Sequence, residues 1–175
     1  MNKDTLINAM EKFKSNLMGL SEIDLIILRG HLLLEEYLYN AICEFVFHPT
    51  FIKKADMSFS QMVSIARSIS LDEENNSVWG LILAINKLRN KIAHELPTSV
   101  RIKEYVAKVK DLYNGEMNGV EDAQERMWKN DDCKGMTFAV AMGMGFLNEF
   151  LEEVKRFKKA VHLIDTIYNP HRHNN

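Results

Sequence analysis

Arg89, Asn90 and His94 stand near the end of an otherwise apolar helical run, and together they are the residue types needed to cleave a phosphodiester without a metal. A histidine moves a proton near neutral pH, a guanidinium holds a phosphate and steadies the charge that builds on it, and an amide orients its neighbours. RNA carries its own nucleophile, the 2′-OH, so this short set suffices. His94 would be the general acid/base, Arg89 the phosphate clamp and Asn90 the orienting hydrogen-bond partner. The same residues have a structural use as well. Arg89 could pair with an acid inside the fold, and a cationic His94 at a helix C-terminus is favoured by the helix dipole.

The helix that must position them is read over 78–95, on Val78, Leu81, Ile85, Leu88 and Ile92, with Pro97 as its stop. At about 100° per residue, Asn90 and His94 share a face, whereas Arg89 and His94 diverge by about 140°. They converge on one target only if the last turn unwinds or if a two-fold partner presents its own copy. The second of these predicts a homodimer, with the small residues between Ala139 and Gly145 as a secondary contact.

A second helix, over 21–47, opens with Ser21-Glu22-Ile23-Asp24, a Ser-x-x-acid start. Its stripe Leu28, His31, Glu35, Leu38, Ile42 and Phe45 has the spacing of a core-facing seam, yet two members are ionisable. A carboxylate there needs a cation, and Arg89 on the other central helix is the expected partner. Glu35 and His31 are thus supporting residues, with Glu35 holding Arg89 in place.

Further helices are expected over 5–18, 58–69, 100–113 and 136–168. All three prolines, Pro49, Pro97 and Pro170, fall just past apolar-periodic segments, where they end helices. The acid-rich stretch 115–135 reads as a peripheral insertion, with a short helix at 121–128, and 170–175 as a frayed tail. No segment alternates like a strand. The expectation is one all-α domain over 1–175, with its core at about 20–113: an up-and-down bundle of four or five helices with a long C-terminal helix.

An arginine, four residues, then a histidine, with polar Asn90 after the arginine, resembles the HEPN superfamily. The string Arg29-Gly30-His31-Leu32-Leu33-Leu34-Glu35-Glu36-Tyr37-Leu38 also looks like the first core helix of several HEPN-type families. The resemblance spans about 20–112. It implies a metal-independent endoribonuclease that needs no cofactor, takes RNA as substrate and works as a homodimer with paired motifs. It also implies a toxin–antitoxin or anti-phage defence setting, with an antitoxin or regulatory protein as partner. A relative that kept the fold without the activity would be a non-catalytic HEPN-like module binding a protein or nucleotide, as in mannitol-repressor-like regulators.

Composition sets bounds on these readings. With 46% apolar and 26% charged residues among 175, the chain is balanced for a globular fold with a full core. Net charge −2 and a pI near 6.3 supply no global attraction for nucleic acid, so RNA contacts must come from a local basic surface such as Lys155-Arg156-Phe157-Lys158-Lys159. A solvated helix face explains that cluster equally well. Cys43 and Cys133 make no disulfide framework, the start Met1-Asn2-Lys3-Asp4 lacks a signal-peptide profile, and no uncharged stretch reaches the roughly 18 residues of a membrane span. A cytoplasmic protein with no membrane contact and no metal site is expected. His171 and His173 lack the companions a structural metal requires.

Overall fold

The computed structural model describes residues 11, 23–71, 76–94, 100–117, 128 and 131–172. The expected helix over 5–18 lies outside them, apart from Glu11. The described residues form helices without strands: α1 (Ile23–Phe45), α2 (Pro49–Lys54), α3 (Phe59–Ile69), α4 (Ser77–His94), α5 (Val100–Glu116) and α6 (Asp132–Tyr168), followed by a 3₁₀ turn at Pro170–Arg172. None of these helices is long and apolar enough to cross a membrane.

Local signals account for several boundaries. Ser58 caps α3 with a complete capping box, its hydroxyl accepting from the Gln61 N–H while the Gln61 side chain takes the Ser58 N–H. Pro49 stands after α1 and also opens α2, since its missing N–H and fixed φ suit the first turn of a helix. α6 starts four residues earlier than its periodicity suggested, because the Asp131 side chain accepts from the Lys134 N–H and caps it.

α1, α4 and α6 meet at the centre of the core. Ile27, Leu34, Leu38, Leu81, Ile82, Ile85 and Leu88 are fully buried, as are Met136 and Met144 of α6. The residues from Ala139 to Gly145, expected as a contact between copies, are all buried within one chain. Gly143 shows why they are small: a Cβ there would lie 3.1 Å from Leu34 and 3.3 Å from Ile82, on two different helices. A Cβ there would require Leu34 and Ile82 to give by a few tenths of an ångström, and a side chain as large as leucine would push α6 off both neighbours.

Contacts at several levels give the helix directions. Leu34 meets Gly143 while Phe45 stacks on Phe157, so α1 and α6 run the same way. α4 opposes both, with Asn86 at His31 and Trp79 edge-on to Phe146 and Phe150. α5 returns along α4, joined where Ser77 donates to Glu116 and where Lys91 sits over the Tyr105 ring. The described helices form the expected all-α bundle with its long C-terminal helix, and one departure within it is that α6 repeats the direction of α5 and α1. Trp128 marks a second departure: within the segment read as peripheral, its ring is buried against Gly135, leaving no room for a Cβ, with Tyr113 and Lys110 on its other sides.

The two glycines of α4 and α6 separate close packing from helix propensity. Gly143→Leu should lower stability by about 1–3 kcal/mol through overpacking. Gly80→Ala, whose new methyl would touch only Leu112 at 3.9 Å, should raise it by about 0.5–1 kcal/mol. Urea unfolding of both variants checks this; a Gly143→Leu protein as stable as the parent would mean that the three helices do not approach so closely.

Candidate functional site

The site is built on the facing surfaces of α1 and α4. On α1 the buried stripe is Ile27, His31, Leu34 and Leu38, in steps of four, three and four residues. Compared with the expected seam, Ile27 replaces Leu28 and Leu34 replaces Glu35. His31 keeps its place and is only 3% exposed, as the one polar or charged side chain buried among the described residues.

A buried imidazole needs a partner, and α4 supplies Asn86. His31 Nε2 lies 2.9 Å from Asn86 Oδ1, so the ring donates to the amide oxygen with its proton on Nε2. Nδ1 is then an acceptor, and it has no hydrogen-bond partner. Phe59, the first residue of α3, covers the ring at 4.4 Å between centroids. Burial pushes the His31 pKa below the ordinary value of 6.5; the Asn86 bond and the Glu35 charge act the other way, and Arg89 adds to the lowering. His31 is therefore a neutral ring at neutral pH.

Glu35 does not hold Arg89. Its side chain is 39% exposed at the rim of the α1 seam, and its carboxylate stands 3.9 Å from His31 Nδ1, beyond hydrogen-bond length. Arg89 donates instead to Asn90 Oδ1 at 3.1 Å. The difference from the expected seam is one of helical phase. A shift of one residue turns a side chain by about 100°, enough to bring Leu34 to the centre and Glu35 to the edge, where water solvates the carboxylate. Glu35 is accordingly withdrawn as the partner of Arg89, and Asn86 takes the supporting place beside His31.

Arg89 is half-buried, one turn beyond Asn86, and its charge is felt by His31; Asn90 is exposed. α4 remains helical through His94, so the unwinding that would turn Arg89 and His94 to one target does not occur in its backbone. The His94 side chain lies outside the described residues. Asn86 could have been found earlier, since it is a polar residue one turn from Ile82 on the apolar face of α4. Among the described residues no three His, Cys, Asp or Glu side chains group as metal ligands do.

The lowered His31 pKa gives stability a pH dependence with a definite sign. The folded chain binds this proton less tightly than the unfolded chain, so protonation favours unfolding. The contribution of His31 is complete above 6.5, is lost as the pH falls from 6.5 towards the folded value, and levels off below it. His31→Gln, which keeps a donor for Asn86 but does not titrate, should remove that part of the acid slope in denaturation curves taken at a series of pH values. Asn86→Leu should cost about 1–3 kcal/mol by stranding the ring.

No protein-family model matches the chain, and neither the curated proteins nor the solved structures contain a significant match, so the functional reading rests on the residues and their geometry.

Proposed function

We propose that this protein is a HEPN-type endoribonuclease that cuts RNA by 2′-OH attack, with Arg89, Asn90 and His94 as its working residues. The observation that carries the reading is the setting of α4. Asn86 anchors the helix to His31 inside the core, Arg89 next along is half-buried, and Asn90 reaches solvent in the last turns before His94. A rigid anchor with a solvated polar end suits a site that must hold a large substrate in fixed register.

In this reading Arg89 clamps the scissile phosphate and steadies the phosphorane charge. Asn90, already bonded to Arg89, keeps the guanidinium aimed. His94 takes the proton from the 2′-OH or delivers one to the departing 5′-oxygen, leaving a 2′,3′-cyclic phosphate. Because α4 stays helical through position 94, a turn of about 140° separates positions 89 and 94. The His94 serving a given phosphate then comes from a second copy, as in the paired motifs of the resembling family. Cytoplasmic toxin–antitoxin or anti-phage defence, with an antitoxin or regulator as partner, is the setting this activity fits.

Purified protein should cleave mixed RNA equally with and without chelator, and His94→Ala and Arg89→Ala should each abolish turnover with the fold intact. Mixing the two inactive variants should restore about a quarter of wild-type activity, because half the dimers are mixed and each of those has one complete site. Equal cleavage by wild type and His94→Ala would sink the catalytic assignment, and a mixture that stays inactive would remove the shared site. A wild type that leaves RNA intact but binds a nucleotide or protein through α4 would be the non-catalytic module instead.

A further inference from the structure

α6 is longer than the bundle it helps to build. Its apolar seam, Leu147, Phe150 and Val154, is buried, and it continues in the same alternating three- and four-residue steps as Phe157, Val161, Ile164 and Tyr168. Phe157 still stacks on Phe45, with centroids 5.9 Å apart and planes 11° from parallel. Beyond it the seam opens to solvent: Ile164 is 56% and Tyr168 79% exposed. Beside Phe157 is an apolar groove of about 210 Å³ between α1, α3 and α6, walled by Phe45, Ile69, Phe150 and Val154, with Leu71 86% exposed at its rim.

A seam in heptad spacing that runs out of a core into water is half of a helix pair. From 157 to 168 the seam residues with Ala160 and Ile167 cover an arc of about 120°, Leu163 stands beyond its edge, and Lys158, Lys159, His162, Asp165 and Thr166 hold the rest. We propose that this end of α6 is a self-association surface, pairing antiparallel with the same segment of a second copy of this chain and seating each helix tip in the other's groove.

The sequence is complementary to its own reverse. With Val161 set opposite the partner's Ile164, Phe157 falls opposite the partner's Tyr168 and small Ala160 opposite the partner's Ile167. Lys158 then flanks the seam opposite the partner's Asp165, and the two-fold axis makes this pair twice. A parallel pairing would set Asp165 against Ala160 and lose both ion pairs. Within its own chain Lys158 stands 3.5 Å from Glu44, and Asp165 accepts from the Asn169 amide at 2.7 Å; an ammonium with three donors and a carboxylate with several lone pairs can each take a further bond. An anionic membrane is the rival occupant. It is disfavoured because the apolar face ends in a groove, which a side chain of a second copy can enter and a flat bilayer cannot fill.

This surface lies at the other end of the bundle from Asn86 and Arg89, since α4 runs away from the Phe150 level towards the motif. Its success or failure is therefore separate from that of the nuclease reading. Light scattering on the full chain at micromolar concentration should show a multimer, and Ile164→Glu should reduce it to a single chain or, where the shared nuclease site also pairs copies, to that dimer, weakening association by about a hundredfold. Leu163→Glu, equally exposed but off the seam, should leave the mass unchanged. Lys158→Asp should weaken association by about tenfold, and adding Asp165→Lys should restore it. Circular dichroism confirms that each variant keeps its helix content. A single-chain mass for the wild type, an Ile164→Glu protein of undiminished mass, or a charge swap without rescue would overturn the proposal. So would a monomeric wild type that pellets with phosphatidylserine vesicles.

Discussion

A histidine ring placed inside an apolar helix interface can be accommodated only where a polar group stands opposite it, and this constraint fixes how α1 and α4 meet. The His31–Asn86 bond admits one register. Sliding α4 by a turn in either direction would bury the ring against Ile82 or against Arg89, leaving two polar groups without partners in the first case and setting a cation beside the ring in the second. With the register set, Ile82 comes level with Leu34, and both close on Gly143, so α6 is placed by the same bond. Arg89 follows one turn further along α4, half-buried next to the ring, and Asn90 turns outward. The polar end of α4 is thus a consequence of a bond made in the core.

The electrostatics follow from that geometry. Burial keeps His31 neutral, and Arg89 reinforces this, because a cation nearby makes a second positive charge costlier. Since Glu35 lies at the rim, no carboxylate among the described residues quenches the guanidinium from within the core; its hydrogen bond goes to neutral Asn90. Arg89 keeps its positive charge available to an anion at a half-solvated position, where attraction is stronger than in bulk water. Had Glu35 been on the seam, as its spacing suggested, Arg89 would have been a structural counter-ion.

Helix existence was legible because it depends on near neighbours: Ser58 and Gln61 three residues apart, Pro49 after an apolar run, and small residues along the first half of α6. Phase in α1 was not. Leu32, Leu33 and Leu34 are consecutive, so periodicity alone permits either neighbour of Glu35 to be central, and the choice falls to what α4 and α6 offer opposite. Asn86 was hidden for a related reason: its value lies in a partner 55 residues away. The direction of α6 likewise has no local signature, since a helix reads the same whichever way its neighbours run. Trp128 looked peripheral because acidic residues surround it, although a tryptophan in such company is itself a signal of burial.

The parallel course of α1 and α6 also explains why the bundle has two unlike ends. Two helices that start level and run together finish level only if they are equally long, and α1 stops at Phe45 while α6 goes on to Tyr168. α2 and α3 fold back beside α1, bringing Phe59 to His31 and Ile69 to the Phe45 end. Among the described residues nothing on that side extends as far as α6. The surplus turns keep the apolar phase of the core, which an unpartnered solvent helix does not need, whereas around the buried Leu88 the last turns of α4 present Lys87, Arg89, Asn90 and Lys91. One end is therefore closed by polar residues and the other left apolar. Residues so far apart and without shared partners act nearly additively, so a chain built this way can alter how it associates without disturbing the groups around Arg89.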